Sequence, residues 1–120
     1  MSAMFNTDVI FGNATNDPAA RGWFVGDFID PAKGLRHSKD VELKWAVHAK
    51  GKERPEWATK EQHTTISLLI SGKWEMVFRD QTVVLAKQGD YVMWGPGTDH
   101  KWQALEDTTL LTIRWPSVNS

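Results

Sequence analysis

His100 and Trp102 are the residues whose type and spacing point most directly to chemistry. They stand two apart, so on a β-strand both project from one face with Ala104, while Lys101 and Gln103 project from the other. The residues before them read Gly89-Asp90-Tyr91-Val92-Met93-Trp94-Gly95-Pro96-Gly97-Thr98-Asp99. Gly-Asp is a turn dipeptide, and Tyr91 to Trp94 suits a pleated, half-buried surface. Gly-Pro-Gly is a stiff bend, because Pro96 fixes its own φ and the glycines admit angles closed to other residues. An imidazole titrates near neutral pH. Held beside an indole behind a rigid bend, it reads as one wall of a pocket.

A second constellation is Arg54-Pro55-Glu56-Trp57. A guanidinium fork there could clamp a carboxylate or phosphate while the Trp57 indole stacks on a flat group. The alternative is a surface arginine that packs its stem on a tryptophan. Tyr91 and Trp94 lie on opposite faces of their strand, so they cannot both line a pocket. Acyl-transfer chemistry lacks its Gly-x-Ser-x-Gly elbow, and neither a phosphate-cradling glycine loop nor a dinucleotide fingerprint occurs.

The elements that must position these residues are short and strand-like. Thr64 to Ser71, Lys73 to Arg79, Thr82 to Ala86 and Thr108 to Trp115 each end at a turn signal, and no helix longer than a turn or two is predicted. Within Lys73 to Arg79, the alternation puts Trp74, Met76 and Phe78 inward. From Val41 onward, Val41, Leu43, Trp45 and Val47 form the apolar face, while Glu42, Lys44, Ala46 and His48 form the polar one. That alternation predicts a solvent-facing or rim position for His48. His37, in the preceding loop, has no evident partner. Residues 1–20, with Asn-Ala-Thr-Asn-Asp-Pro, read as a loosely docked arm, and residues 21–120 as one all-β antiparallel sandwich or small barrel.

With 120 residues the chain suits a single core. It has no cysteine, which removes disulfides, thiolate metal ligands and cysteine nucleophiles together. The net charge of −1 without a basic cluster argues against nucleic acid as a partner. No apolar run reaches membrane-span length, and the first residues lack a signal-peptide layout, so a cytoplasmic protein without membrane partners is expected. Seven tryptophans imply a heavily aromatic core or a pocket with flat walls.

The segment from Gly89 to His100 resembles the second signature of the cupin superfamily, Gly-Asp-x-x-x-x-Pro-x-Gly-x-x-His. Gly89, Asp90, Gly97 and His100 match; Gly95 stands at the family proline, with Pro96 adjacent. The resemblance extends upstream to Thr65–Gly72 and on to Trp115, and implies an antiparallel jelly-roll barrel. The usual cupin site holds a divalent metal through three histidines and a glutamate. In the family register the glutamate falls on Thr65, the paired histidines on Thr59 and Glu61, and the last histidine on His100. His63 lies close enough along the chain to be recruited. Glu61, His63 and His100 would suit iron, manganese, nickel or zinc; the alternative is a degenerate site without metal.

The same register turns Thr65, Ser67 and Leu69 into the barrel and Ile66, Leu68 and Ile70 outward. A small hydroxyl in place of a long carboxylate leaves room for a polar small molecule. The apolar outer face calls for a cover, either a second subunit, making a homodimer, or the N-terminal strand around Trp23, Phe24 and Phe28. The resemblance therefore implies a small cupin that binds a sugar derivative or organic acid among His100, Trp102, Thr65, Ser67, Trp57 and Arg54. His100 and Glu61 would be an acid–base pair of isomerase type. The alternatives are a metal-dependent oxygenase or isomerase, and a sensory or structural dimeric module.

Overall fold

The computed structural model describes residues 9–16 and 21–117. Among the described residues nine strands carry the fold: β1 (Trp23–Val25), β2 (Glu42–His48), β3 (Glu53–Ala58), β4 (Thr64–Ser71), β5 (Trp74–Phe78), β6 (Thr82–Leu85), β7 (Tyr91–Trp94), β8 (His100–Ala104) and β9 (Thr108–Trp115). The helical segments among the described residues are single-turn to two-turn 3-10 pieces, Ala14–Asn16 and Pro31–Arg36. The strands form two antiparallel sheets, of order β1-β2-β9-β4-β7 and β3-β8-β5-β6. No helix among the described residues is long and apolar enough to cross a membrane. Of the expected N-terminal arm, residues 1–8 and 17–20 lie outside the described residues. Val9 to Asn13 is largely exposed, and Phe11 fully so.

The core fills one part of the space between the sheets. Leu69 and Leu110 from the larger sheet meet Trp74, Met76, Phe78, Leu85 and Ala104 from the smaller one. The inward alternation expected for Trp74, Met76 and Phe78 holds, and so does that of Thr65, Ser67 and Leu69. Two turns set the registers. Gly72 has φ of +99° and packs its α-carbon against the Asp107 carbonyl, where a β-carbon has no room. Asp90 accepts hydrogen bonds from the backbone of Ala86 and Lys87, at 3.0 and 2.9 Å, and these hold its carboxyl below the usual carboxylate range.

The second strand reverses its expected orientation. Glu42 and Ala46 are buried, while Val47 is 66% exposed. Lys44 and His48 face the barrel interior with them. The hydropathic alternation of β2 is real, but its apolar side faces out. There it continues two rows across the larger sheet: Leu43–Ile113–Ile66–Met93 and Trp45–Leu111–Leu68–Tyr91. β1 does not lie across that outer face. It pairs edgewise with β2, and Trp23 turns inward beside Lys44.

This assignment predicts the cost of two truncations. Leu69→Ala should destabilise by about 2–5 kcal/mol in chemical denaturation, because Leu69 is fully packed. Val47→Ala should change stability by less than about 0.5 kcal/mol. The opposite ranking for Val47 would restore the orientation that hydropathy alone implies for β2.

Candidate functional site

A cavity of about 170 Å³ remains between the sheets. Its floor is the inner face of the larger sheet, ordered into rows by strand register. One row reads Glu42, Arg114, Thr65, Trp94 across β2, β9, β4 and β7. The next reads Lys44, Thr112, Ser67, Val92, with Trp23 beside Lys44. A third, Ala46, Leu110 and Leu69, is apolar and belongs to the core. A polar floor of this kind survives only if its buried charges are paired. Glu42, 1% exposed, is held by the Arg114 guanidinium and accepts a 2.8 Å hydrogen bond from the Ser117 hydroxyl. The Ser67 and Thr112 hydroxyls bond each other at 2.9 Å.

The facing wall comes from the smaller sheet. Register places Phe78 beside His100, Met76 beside Trp102, and Trp102 beside Arg54. Trp74 and Trp102 stack with centroids 4.6 Å apart and planes 23° from parallel, and the His48 ring lies 4.5 Å from Trp102 and 5.1 Å from Trp74. This three-ring stack occupies one end of the interior. His100 stands at the other, its ring 4.7 Å from that of Trp94.

The Gly-Pro-Gly bend positions His100 as expected, and its anchor is Glu61. The Gly97 N–H donates to the Glu61 carbonyl at 2.8 Å, tying the two loops into one frame. Nδ1 of His100 lies 3.0 Å from the Thr98 carbonyl, which can only accept, so the ring proton belongs on Nδ1. Nε2 faces the Glu61 carboxylate at 3.6 Å. The pair presents an imidazole nitrogen and a carboxylate side by side at the cavity wall.

The other expected site residues divide. Trp102, Thr65, Ser67 and Arg54 line the cavity with His100 and Glu61. Trp57 does not: its indole is clasped on the outside of the smaller sheet by Arg79, 4.0 Å from the ring, and Lys101, 4.6 Å away. His63 is buried but turns elsewhere, donating Nδ1–H to the Pro116 carbonyl at 2.9 Å and placing Nε2 3.9 Å from Glu42. His37 also has partners, the Ile29 carbonyl at 2.7 Å and Asp27 at 3.8 Å, away from the cavity. Sequence reasoning missed Trp23, Lys44, His48 and Arg114 as cavity residues. A larger cleft, about 860 Å³, lies outside the barrel between residues 10–16 and the Phe24 and Pro31–Arg36 region, and contains none of the expected site residues.

With two antiparallel sheets closed over a histidine-bearing cavity, the molecule has the cupin fold, and solved structures agree. KdgF from a Halomonas species superposes with a TM-score of 0.61 at 22% identity, over 68% of this chain and 75% of that one. A cupin superfamily protein from Desulfitobacterium hafniense gives 0.58 at 20% identity, over 65% and 69%. A cupin-2 domain protein from Shewanella frigidimarina gives 0.53 at 22%, over 62% and 69%. At these identities the likeness defines the fold alone. No protein-family model matches the chain. No curated protein matches it.

The fold's usual metal does not fit the residues present. Of the four register positions, Thr59 and Thr65 offer only hydroxyls, leaving Glu61 and His100. His63, expected to complete the set, is committed to Pro116 and Glu42. Among the described residues no three histidine, aspartate or glutamate side chains converge, whereas iron, manganese, nickel or zinc sites in proteins are built on three or more donors.

His48, expected at the rim, is instead enclosed by the two indoles. Burial first, then the positive charges of Lys44 and Lys52, lowers its pKa from the usual 6.5 to about 4. At neutral pH it is an uncharged aromatic ring. Between about pH 6.5 and 4 the unfolded chain binds a proton that the folded one refuses, so this residue makes stability fall as pH falls through that window and level off below it. Thermal unfolding followed against pH should show that fall, and His48→Phe should flatten it. An equal slope in wild type and variant would mean that the ring titrates normally.

Proposed function

We propose that the barrel binds a polar small molecule and that His100 and Glu61 move a proton to or from it. The observation that carries this reading is the geometry of that pair: an imidazole with Nδ1–H committed to Thr98, and its Nε2 3.6 Å from a carboxylate at the wall of a polar-floored cavity. Imidazole and carboxylate are the side chains most used as general acid and base. A hydroxyl or an acidic C–H beside a carbonyl, resting against the pair, would meet a base and a second hydrogen-bond acceptor together. Trp102 supplies a flat apolar wall, and Thr65 and Ser67 supply hydroxyls across the cavity from it, with the Trp94 indole beside Thr65 on the floor. Proton transfer next to a carbonyl, as in isomerisation, is the reaction class this arrangement serves.

The test is hydrogen exchange. Hydroxy- and keto-compounds incubated with the protein in D₂O should lose the NMR signal of the proton next to the carbonyl. His100→Gln and Glu61→Gln should each slow that loss by roughly 10²-fold or more, while tryptophan fluorescence still reports binding. Exchange at the wild-type rate in both variants would remove the pair from the chemistry.

A homodimer is the partner reading supported by the outer face. Its two apolar rows run unbroken over four strands, and Tyr91 and Met93 at their ends are 61% and 49% exposed. A face this apolar and continuous marks an interaction surface, and a second copy supplies the same surface in return. Sedimentation should give twice the monomer mass, and Leu68→Glu with Leu111→Glu should halve it. A monomeric wild type at all concentrations would rule this out.

A further inference from the structure

We infer that the cavity's ligand carries a carboxylate, seated on the floor row Arg114–Thr65–Trp94 with Lys44 as its counter-charge. This rests on the reading that the cavity holds a small molecule, and narrows it to a class.

The first observation is a run of unmet polar atoms. Arg114 Nε, Thr65 Oγ1 and Trp94 Nε1 are each buried without a hydrogen-bond partner, as is Glu42 Oε1, which faces the Arg114 guanidinium outside the cavity; Arg114, Thr65 and Trp94 line the cavity. They occupy consecutive rungs of one row, since Thr65 is the register partner of both Arg114 and Trp94. Buried polar groups in folded proteins are nearly always satisfied, because an unmet one forfeits its hydration with nothing in return. Two of these atoms can only donate, and the third, a hydroxyl, donates or accepts. A row of donors calls for a group that accepts along an edge. Paired carboxylate oxygens do that; a hydroxyl or ammonium does not.

The second observation is charge. Among the described residues, Lys44, Arg54 and Arg114 line the cavity against the single carboxylate of Glu61, and the charge of Arg114 is already committed to Glu42 behind the floor. Among the described residues no carboxylate pairs with Lys44, whose ammonium instead lies 5.5 Å from the Trp23 ring centre. Lys44 sits one row from the unmet donors, flanked by Thr112. Burial, with Arg21 and Arg114 nearby, pushes its pKa below the ordinary lysine value, a penalty that a bound anion would relieve.

Size is the third. About 170 Å³ is room for roughly five or six waters' worth of liquid, which suits a short-chain hydroxy or keto acid. The acid end on the floor would leave the neighbouring carbon toward His100 and Glu61 on the facing side.

The experiment is calorimetric titration of the untagged full-length protein with glycolate, lactate and pyruvate. Parallel arms use lactamide, glycerol and inorganic phosphate. A carboxylate should bind at least 10-fold more tightly than its amide. Lys44→Met and Thr65→Val should each weaken it 10-fold or more, with unchanged circular dichroism and with glycerol binding retained. Lys87→Met, on an exposed turn, should leave it unaltered. Equal affinity for lactate and lactamide, or wild-type lactate affinity in both cavity variants, overturns the carboxylate seat while leaving a small-molecule site in place. Phosphate binding without carboxylate binding also overturns it, in favour of a different anion. Silence in every arm removes the seat and the small-molecule site together.

Discussion

The ion pair between Glu42 and Arg114 is the constraint on which the interior depends. It joins neighbouring strands β2 and β9 on the inner face of the larger sheet, where the Glu42 carboxylate is shut off from bulk water and the Arg114 side chain only partly so. Buried charges are tolerated only when paired and further hydrogen-bonded, and Ser117 supplies the extra bond at Glu42. Because Ser117 also accepts from the Asp27 backbone at 2.8 Å, the pair ties the C-terminal end of β9 to the segment after β1. Once these two residues face inward, strand alternation brings Lys44, Thr112, Thr65 and Ser67 inward with them. The polar floor is thus a geometric result of one buried pair and the two-residue period of a strand.

The opposite consequence appears on the other side of the same sheet. A strand that turns its polar residues into a cavity must send its aliphatic ones outward, which produces the rows through Ile113 and Leu111. Interior binding capacity and exterior stickiness are therefore coupled in this chain. The smaller sheet escapes that coupling because its inner side is built from Trp74, Met76 and Phe78, and its outer side carries Lys73, Glu75 and Lys101 among others.

How much of this was legible from residues alone depends on parity. The Gly-Pro-Gly bend and His100 announced themselves through turn chemistry, and Thr65 and Ser67 through the register of the cupin resemblance. β2 misled because hydropathy assigns polar residues to solvent, a rule that fails where a cavity is wet. A cue was present: Thr112 and Arg114 alternate with Leu111 and Ile113 just as Lys44 and Glu42 alternate with Leu43 and Trp45. Treating β2, β4 and β9 as one parity set would have turned all three polar faces inward. Trp57 had a cue as well, since three residues from Arg54 is the opposite face of a strand, although the irregularity between Arg54 and Ala58 blurs the count. Glu61 and His63 could not be separated this way. They precede β4 in irregular chain, where no period applies, and only the contacts with Gly97 and Pro116 part them.

The near-parallel contact of Trp74 with Trp102 gives the molecule an optical signature of its own. Two indoles held face to face at 4.6 Å share their electronic excitation, so the pair should absorb and rotate ultraviolet light as a single chromophore rather than as two. Any event that shifts β8 against β5 disturbs this coupling before it alters the backbone spectrum. The barrel therefore carries an intrinsic gauge of the distance between those strands, readable without a label.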